Sequence, residues 1–441
     1  MGRSYIIIGS GVAGWSAANT VRAHDASGRI ILLTEEPHGF YSRPGLAYVL
    51  NGLIPEDQIL TDYDQELAEL GVEIVVRRVH AVQPEQRLVL TDGEQIPYDR
   101  LLLAVGACAV RPAIPGIDLP GVVTLDNLDD LRSILQSIRS ARSAVVIGGG
   151  ITALELAEGF AARKLRTHYL LRRDRYWPGV LDEEESRLVE SRLMAEGIQL
   201  HHRTEVARIL GRRDRVHAVE TKDGGTIECR ILGVAIGIRP RLGLARSARI
   251  EVDRGILVDE FMQTSVEGIF AAGDVAQVYD PVSGEYRLDS LWWAARQQGE
   301  TAGSNMAGVA TAYRKPVAFN VTHIGGITTT VIGAVGAGTD DEDLVAIARG
   351  DSETWRDPTR ALASEIGHTG SRVRLKIGER HIVGALVMGD QALSRALQDM
   401  VGNEVDISPI RERLIERPQE TSELISRFWG EWRANRRASS S

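Results

Sequence analysis

The sequence predicts an α/β chain with two doubly wound parallel sheets, one unit inserted within the other, and a small α+β domain near its end. Three observations carry that prediction. "YIIIGSGVAGWSAANT", Tyr5 to Thr20, and "AVVIGGGITALELAEG", Ala144 to Gly159, share one pattern of apolar run, clustered glycines and small-residue helix start. Both runs are apolar throughout, as strands covered on both faces of a parallel sheet are. Sequence of the first kind resumes near residue 241 and continues to about Gly308, so the second unit interrupts the first.

Size and composition agree with several domains. A chain of 441 residues exceeds one ordinary core, and 43% hydrophobic with 25% charged residues is globular. No stretch reaches the roughly 20 apolar residues that a membrane-spanning helix needs. The first strand begins almost at once, so no secretory leader is expected. A net charge of -9 argues against nonspecific nucleic-acid binding, which wants a basic surface. The two cysteines, Cys108 and Cys229, are far apart and have no partner at metal or cluster spacing. A reducing, cytoplasmic compartment and no metal are expected.

In the first unit, Tyr5 to Ile8 reads as the opening strand. Gly9-x-Gly11-x-x-Gly14 follows. Gly9 permits a tight turn, Gly11 lets a pyrophosphate approach the backbone, and Gly14 lets helix pack on strand. Val12 and Ala13 begin a helix whose free N–H groups suit phosphates. A second strand, Arg29 to Leu33, leads to Glu35, 21 residues past Gly14, where a carboxylate accepts from ribose hydroxyls. This is a Rossmann-like fingerprint for a dinucleotide without a 2′-phosphate.

The second unit repeats the device as Gly148-x-Gly150-x-x-Ala153, with Ile151 and Thr152 starting the helix. Its next strand, Thr167 to Leu171, ends in "LLRRDR" where an acid would stand. Arginines there favour a 2′-phosphate, so Arg172 and Arg173 bias this site toward NADPH, with NADH as the alternative. A solvated basic turn is the plainer reading of the same residues. Two unlike dinucleotides in one chain imply hydride exchange between a flavin and a nicotinamide.

With these motifs in order, the chain resembles the flavoproteins with two dinucleotide-binding domains, the pyridine nucleotide-disulfide oxidoreductase-like superfamily. It is most similar to the branch of rubredoxin and ferredoxin reductases, the nitrite reductase flavin module and apoptosis-inducing factor. The resemblance implies FAD in the first site. It implies that Arg43 and Pro44 of "YSRPGL" lie along the flavin and its pyrophosphate, and that Val79 lines the adenine pocket. "YDRLLLAVGA" matches the turn closing the FAD domain, through Ala104 and Gly106, with Val105 where the family usually has threonine. "TSVEGIFAAGDV" places Gly273 and Asp274 at the ribityl chain, and "AARQQGETAG" places Gln298 near the flavin ring. Gly237 belongs to the nicotinamide site, and Glu155 of "ALELA" matches a catalytic acid beside the two rings. Dipole stabilisation alone would also explain an acid there, and a helix cap would explain Asp274.

Two features depart from the family. The stretch "FYSRPGLAYVL" has no redox cysteine, so a flavin-linked thiol is not expected. The branch's usual lysine is replaced by Ala47-Tyr48.

The predicted fold is therefore two Rossmann-like, three-layer ββα domains with the NAD(P) domain inserted in the FAD domain. The boundaries are 1–112 and 241–312 for FAD, 113–240 for NAD(P), 313–406 for a C-terminal homodimerisation domain, and 407–441 for a helical tail. Antiparallel meanders follow the parallel strands in each nucleotide domain, the first turning at Asp92-Gly93. An acidic stretch beginning at Gly338 is expected to be exposed, and His323 to be a satisfied strand histidine. In the tail, Leu424, Ile425, Phe428, Trp429 and Trp432 form one helical stripe among arginines, expected to pack on its own protein or a sister subunit, with an acidic redox partner or an anionic membrane surface as the alternatives. Residues Ala438 to Ser441 are expected to be disordered.

The functional expectation is an FAD-dependent NAD(P)H oxidoreductase passing electrons to a ferredoxin- or rubredoxin-like protein or a small molecule. A peripheral membrane quinone reductase and a flavoprotein assembly subunit with little turnover are the rival readings.

Overall fold

The structure, a computed structural model, describes residues 2–60, 63–280, 284–336 and 371–440. The acidic stretch expected to be exposed lies outside them. The described chain divides into two compact units. The first holds residues up to Asp174 and Met194–Lys315; the second holds Arg175–Leu193 and the described residues from Pro316 onward.

The first unit contains two parallel five-stranded sheets that share the order of four strands, the fifth coming last in the chain in one and before the central strand in the other. One runs in the order Ile269–Ala271, Arg100–Leu103, Ser4–Ile8, Arg29–Thr34, Val72–Val76. Ser4–Ile8 is central, pairing Ile6 with Ile31 on one side and with Leu101 on the other. Its apolar run is the cause of that position: Tyr5, Ile6 and Ile7 are wholly buried, which stabilises by about 1.5–3 kcal/mol per large side chain. The other sheet runs Gln199–His201, Arg166–Leu170, Ser143–Ile147, Ile231–Val234, Val122–Val123. Ser143–Ile147 takes the central place and is buried along its whole length.

In both sheets the chain winds outward from the central strand, then crosses to its other side. The gap so created at the strands' carboxyl ends is where open α/β sheets bind ligands. The expected antiparallel meanders are present at Val79–Gln83, Leu88–Thr91 and Glu94–Pro97, and at Val206–Arg212, Arg215–Thr221 and Thr226–Glu228. The two halves are tied by an antiparallel pair, Ala107–Ala109 with Ile238–Pro240. The helices Val12–His24 and Trp292–Ala307 pack almost backbone to backbone: a Cβ on Gly299 would lie 2.2 Å from the Ala13 carbonyl oxygen.

The second unit is an antiparallel sheet ordered Phe319–Ile324, Ile327–Gly333, Ile382–Met388, Arg372–Ile377. Helices Ser394–Gly402, Ser408–Glu416 and Thr421–Ser440 accompany it. As expected, the tail stripe packs inward: Leu424 and Ile425 are buried, with Phe428, Trp429 and Trp432 against the same core. His323 Nε2 hydrogen-bonds Thr328 Oγ1 at 2.9 Å, a satisfied strand histidine. The final helix spans Thr421–Ser440, and Ser441 lies outside the described residues. Among the described residues no helix is long and apolar enough to cross a membrane.

Candidate active site

The first glycine turn is built by close contact. Gly9 has φ +112°, and a Cβ there would sit 2.2 Å from the Ala104 carbonyl oxygen. At Gly14 a Cβ would meet the Gly9 oxygen at 1.9 Å. Gly11 differs, with no atom within 4 Å of its Cβ direction. Gly11 also caps the helix Val12–His24 without any side-chain hydrogen bond, leaving the first N–H groups facing that space. A pyrophosphate fits such a cradle.

The second turn repeats the tight contact and the helix start without a side-chain cap. Gly148 has φ +145°, and its Cβ direction meets the Ala235 carbonyl oxygen at 2.1 Å. Gly149 opens onto free space, and the helix Ile151–Ala162 begins at Gly150, again without a side-chain cap. Ile151 and Ala153 are buried at its start, and Thr152 is half-buried. Two residues beyond the tight contacts, Gly106 (φ +65°) and Gly237 (φ +126°) face open space. Ala235 is thus the counterpart of Ala104, a correspondence visible in the repeat of "LLLAVGA" by "LGVAIGI".

Around the first turn the structure brings several expected residues together. Gly273 (φ +79°) packs against Ala13, and the wholly buried Gln298 accepts the Gly273 N–H at 2.8 Å through Oε1. Gln298 therefore holds the turn that carries Asp274. Tyr313 OH lies 3.5 Å from Gln298 Nε2, and burial pushes its phenol well above the ordinary range. Asp289 is buried nearby, its carboxyl pushed up by burial against the opposing pull of Lys315. Neither residue has a sequence signal that spacing reveals.

Glu35 is half-exposed and pairs with Arg241 at 3.3 Å, while Ser10 and Thr34 hydroxyls join at 2.9 Å to fix its strand end beside the glycine turn. Arg43 donates to Glu36 at 2.5 Å and to the Asp126 carbonyl at 2.8 Å, over the Tyr41 ring. Burial opposes its charge, but Tyr41, Glu36 and then Asp274 outweigh that and hold its pKa up. Pro44 caps the helix Gly45–Asn51. In that helix Ala47 and Tyr48 are buried, so the position of the missing family lysine is filled by packing. Val79 is half-buried at the start of the meander, some way along the chain from the glycine turn.

At the second site Glu155 is half-buried on the helix. Arg172 and Arg173 are exposed beyond the strand Arg166–Leu170. Arg203 joins them: its N–H donates to the Arg173 carbonyl at 2.9 Å, and its guanidinium lies 3.8 Å from Asp174. Only the pairing of two loops places Arg203 there.

Both cysteines are free. Burial pushes the Cys229 thiol up to about 12, which disfavours the thiolate form. Cys108 Sγ lies 3.6 Å from the Arg239 carbonyl oxygen in the crossing strands. Among the described residues no cluster suits a metal ion.

Residues 3–299 match the pyridine nucleotide-disulphide oxidoreductase family. The biphenyl dioxygenase system ferredoxin–NAD(+) reductase component of Paraburkholderia xenovorans (strain LB400) is 36% identical over 305 residues, covering 68% of this chain and 74% of that protein. The NADH-dependent phenylglyoxylate dehydrogenase subunit epsilon of Aromatoleum evansii is 28% identical over 432 residues, 96% of this chain and 98% of that protein. The crystal structure of the ferredoxin reductase for the CYP199A2 system from Rhodopseudomonas palustris shares the fold, with a TM-score of 0.78 at 24% identity over 92% of this chain and 96% of that one.

Proposed function

The chain belongs to the pyridine nucleotide-disulphide oxidoreductase family, and from that premise we propose that it exchanges electrons between NAD(P)H and a small iron–sulfur protein. It is an FAD-dependent NAD(P)H oxidoreductase. When bound, the flavin and nicotinamide supply hydride transfer, which needs no protein acid or base in the step itself. The chain's own residues bind and orient. The observation that carries this reading is the paired geometry of Gly9 against Ala104 and Gly148 against Ala235, each beside an open, uncapped helix start.

In this reading Gly9, Gly11, Val12, Ala13 and Gly14 hold the FAD pyrophosphate, and Glu35 takes the adenosine ribose. Ala104 and Gly106 border the dinucleotide, with Val79 toward the adenine. Gly273 and Asp274 hold the ribityl chain, with Gln298 fixing their turn and Arg43 and Pro44 alongside. Gly148, Gly150, Ile151, Thr152, Ala153 and Gly237 hold the nicotinamide dinucleotide, and Glu155 faces its ring. Arg172, Arg173 and Arg203 favour a 2′-phosphate, hence NADPH, although both relatives named above are called NADH- or NAD(+)-linked. Neither cysteine is placed as a redox thiol, so a bound flavin would supply electrons without a protein thiol as relay, and the ferredoxin-linked relative supports an iron–sulfur acceptor. The relatives favour neither a membrane quinone reductase nor a subunit with little turnover.

The crossing pair Ala107–Ala109 with Ile238–Pro240 supports domain boundaries near 112 and 240, with the remaining boundaries at 312 and 406. A homodimer and a cytoplasmic location complete the reading; sedimentation and cell fractionation test them.

The purified protein should be yellow, and under anaerobic conditions NADPH should bleach it faster than NADH. Protein that stays colourless after refolding with excess FAD overturns the reading.

A further inference from the structure

The last helix was singled out by its sequence, and its packing accounts for only part of that composition. Facing outward, it borders a pocket of about 440 Å³ lined by Arg395, Asp399, Asn403, Trp432, Arg433, Arg436 and Arg437. Among the described residues, four arginines and one carboxylate line it, in a chain whose net charge is -9. That carboxylate is already engaged: Asp399 accepts from Trp429 Nε1 at 3.1 Å and lies 3.8 Å from Arg395. Two guanidinium groups are held in place by stacking, Arg433 over Trp429 at 4.6 Å and Arg436 over Trp432 at 5.2 Å. Arg436 also donates to Asn403 at 2.7 Å. Prearranged arginine forks lose less freedom on meeting carboxylates.

We propose that this arginine pocket is a docking surface for an acidic face of a partner protein. The proposal rests on the electron-exchange reading above and names the surface that such a partner would use. The chemistry narrows the occupant. Arg395, Arg436 and Arg437 are exposed, and a single exposed ion pair is weak. One small anion therefore gains little, whereas a surface with several carboxylates engages several arginines at once. An anionic membrane fits poorly, because a surface-lying helix needs an exposed apolar face. Here Leu424 and Ile425 are buried, and Phe428, Trp429 and Trp432 pack on the core. The extent of similarity agrees. The family match stops at residue 299, while the relative that matches 96% of this chain is one subunit of a dehydrogenase.

The test uses the full-length, FAD-loaded protein with two acidic probes, a [2Fe–2S] ferredoxin and a polyglutamate peptide, in calorimetric titrations at low and high salt. Binding should occur and weaken steeply with salt. Replacing all four arginines by glutamine should weaken it about tenfold or more and flatten the salt dependence, while replacement by lysine, which keeps the charge but loses the stacked forks, should keep the salt dependence and only part of the affinity. Arg395→Glu with Arg437→Glu, which spares the stacked arginines, should give the same direction if the fourfold variant folds poorly. Anaerobic bleaching by NADPH should be unchanged in every variant.

Equal affinity in wild type and variants overturns the proposal, as does wild-type protein that binds neither acidic probe. Arginine-dependent binding to phosphatidylglycerol vesicles, with none to the acidic probes, replaces it with a lipid surface. Failure of bleaching in unmutated protein instead overturns the redox reading, so the two failures are distinguishable.

Discussion

At the residue scale, the glycines of the first turn separate two roles that spacing alone merges. Gly9→Ala forces a Cβ against the Ala104 backbone at a positive φ, so it should destabilise the fold by about 1–3 kcal/mol and also lower FAD content. Gly11→Ala meets no protein atom. It should leave the melting temperature of the FAD-free protein unchanged while weakening FAD binding, read from flavin retained on gel filtration. Equal melting losses in both variants would remove the distinction. Arg172→Ala with Arg173→Ala tests the second site in the same way. Charge-assisted hydrogen bonds of about 1.5–3 kcal/mol predict a tenfold to hundredfold loss in kcat/KM for NADPH and little change for NADH. Both glycine motifs and the arginines were legible because each is a local backbone or charge requirement. Arg203, Tyr313 and Asp289 were not, because only loop pairing and burial bring them to the site.

At the element scale, Glu185 is the strongest test of the second unit. Its carboxylate is wholly buried and accepts from Arg374 Nε at 2.9 Å, with Arg374 also donating to the Val180 carbonyl. Arg374→Ala removes one of its partners but leaves Arg372 Nε at 3.5 Å and the Asp182 N–H at 2.8 Å, so it should lower unfolding stability by about 1–3 kcal/mol, whereas Arg374→Ala with Arg372→Ala strands the charge and should cost about 3–5 kcal/mol. Denaturant melts decide it; a double variant as stable as wild type would show that the carboxylate finds water.

The edge of the nicotinamide-side sheet offers a pH test. His168 and His201 meet at 3.0 Å across neighbouring strands. Burial lowers both pKa values, with His201 and then Arg166 adding to the effect at His168 and His202 at His201. The unfolded chain then takes protons first, so stability is complete above the ordinary imidazole value of 6.5 and falls as pH drops below it. His168→Gln should flatten that acid limb in thermal melts, and an unchanged limb would assign it to carboxylates elsewhere. Periodicity located one of these strands to within a residue, the strand expected at Thr167–Leu171 forming at Arg166–Leu170. It gave no sign that two histidines would face each other, since register is a property of paired strands.

At the scale of the whole molecule, the four-strand order shared by the two parallel sheets explains why one chain handles two dinucleotides. Each central strand delivers its glycine turn to the gap where the winding reverses, and the antiparallel ribbon of Ala107–Ala109 with Ile238–Pro240 ties the halves together. The second unit carries a separate surface chemistry. Its core absorbs the tryptophan stripe and leaves arginines outside, which is why the tail reads as ambiguous in sequence and as a docking surface in structure.

The sequence by itself determined the parallel strands, the two glycine turns, the acid in one site and the arginines in the other. Those are local demands of backbone conformation, periodicity and charge, and a short window contains them whole. Tertiary structure alone decided that Ala104 and Ala235 seal the turns, that Gln298 holds the Gly273 backbone, and that Arg374 and Arg372 neutralise Glu185. Each of those depends on groups far apart in the chain meeting within a few ångströms. Close contact of that kind is fixed by packing, which no local pattern encodes.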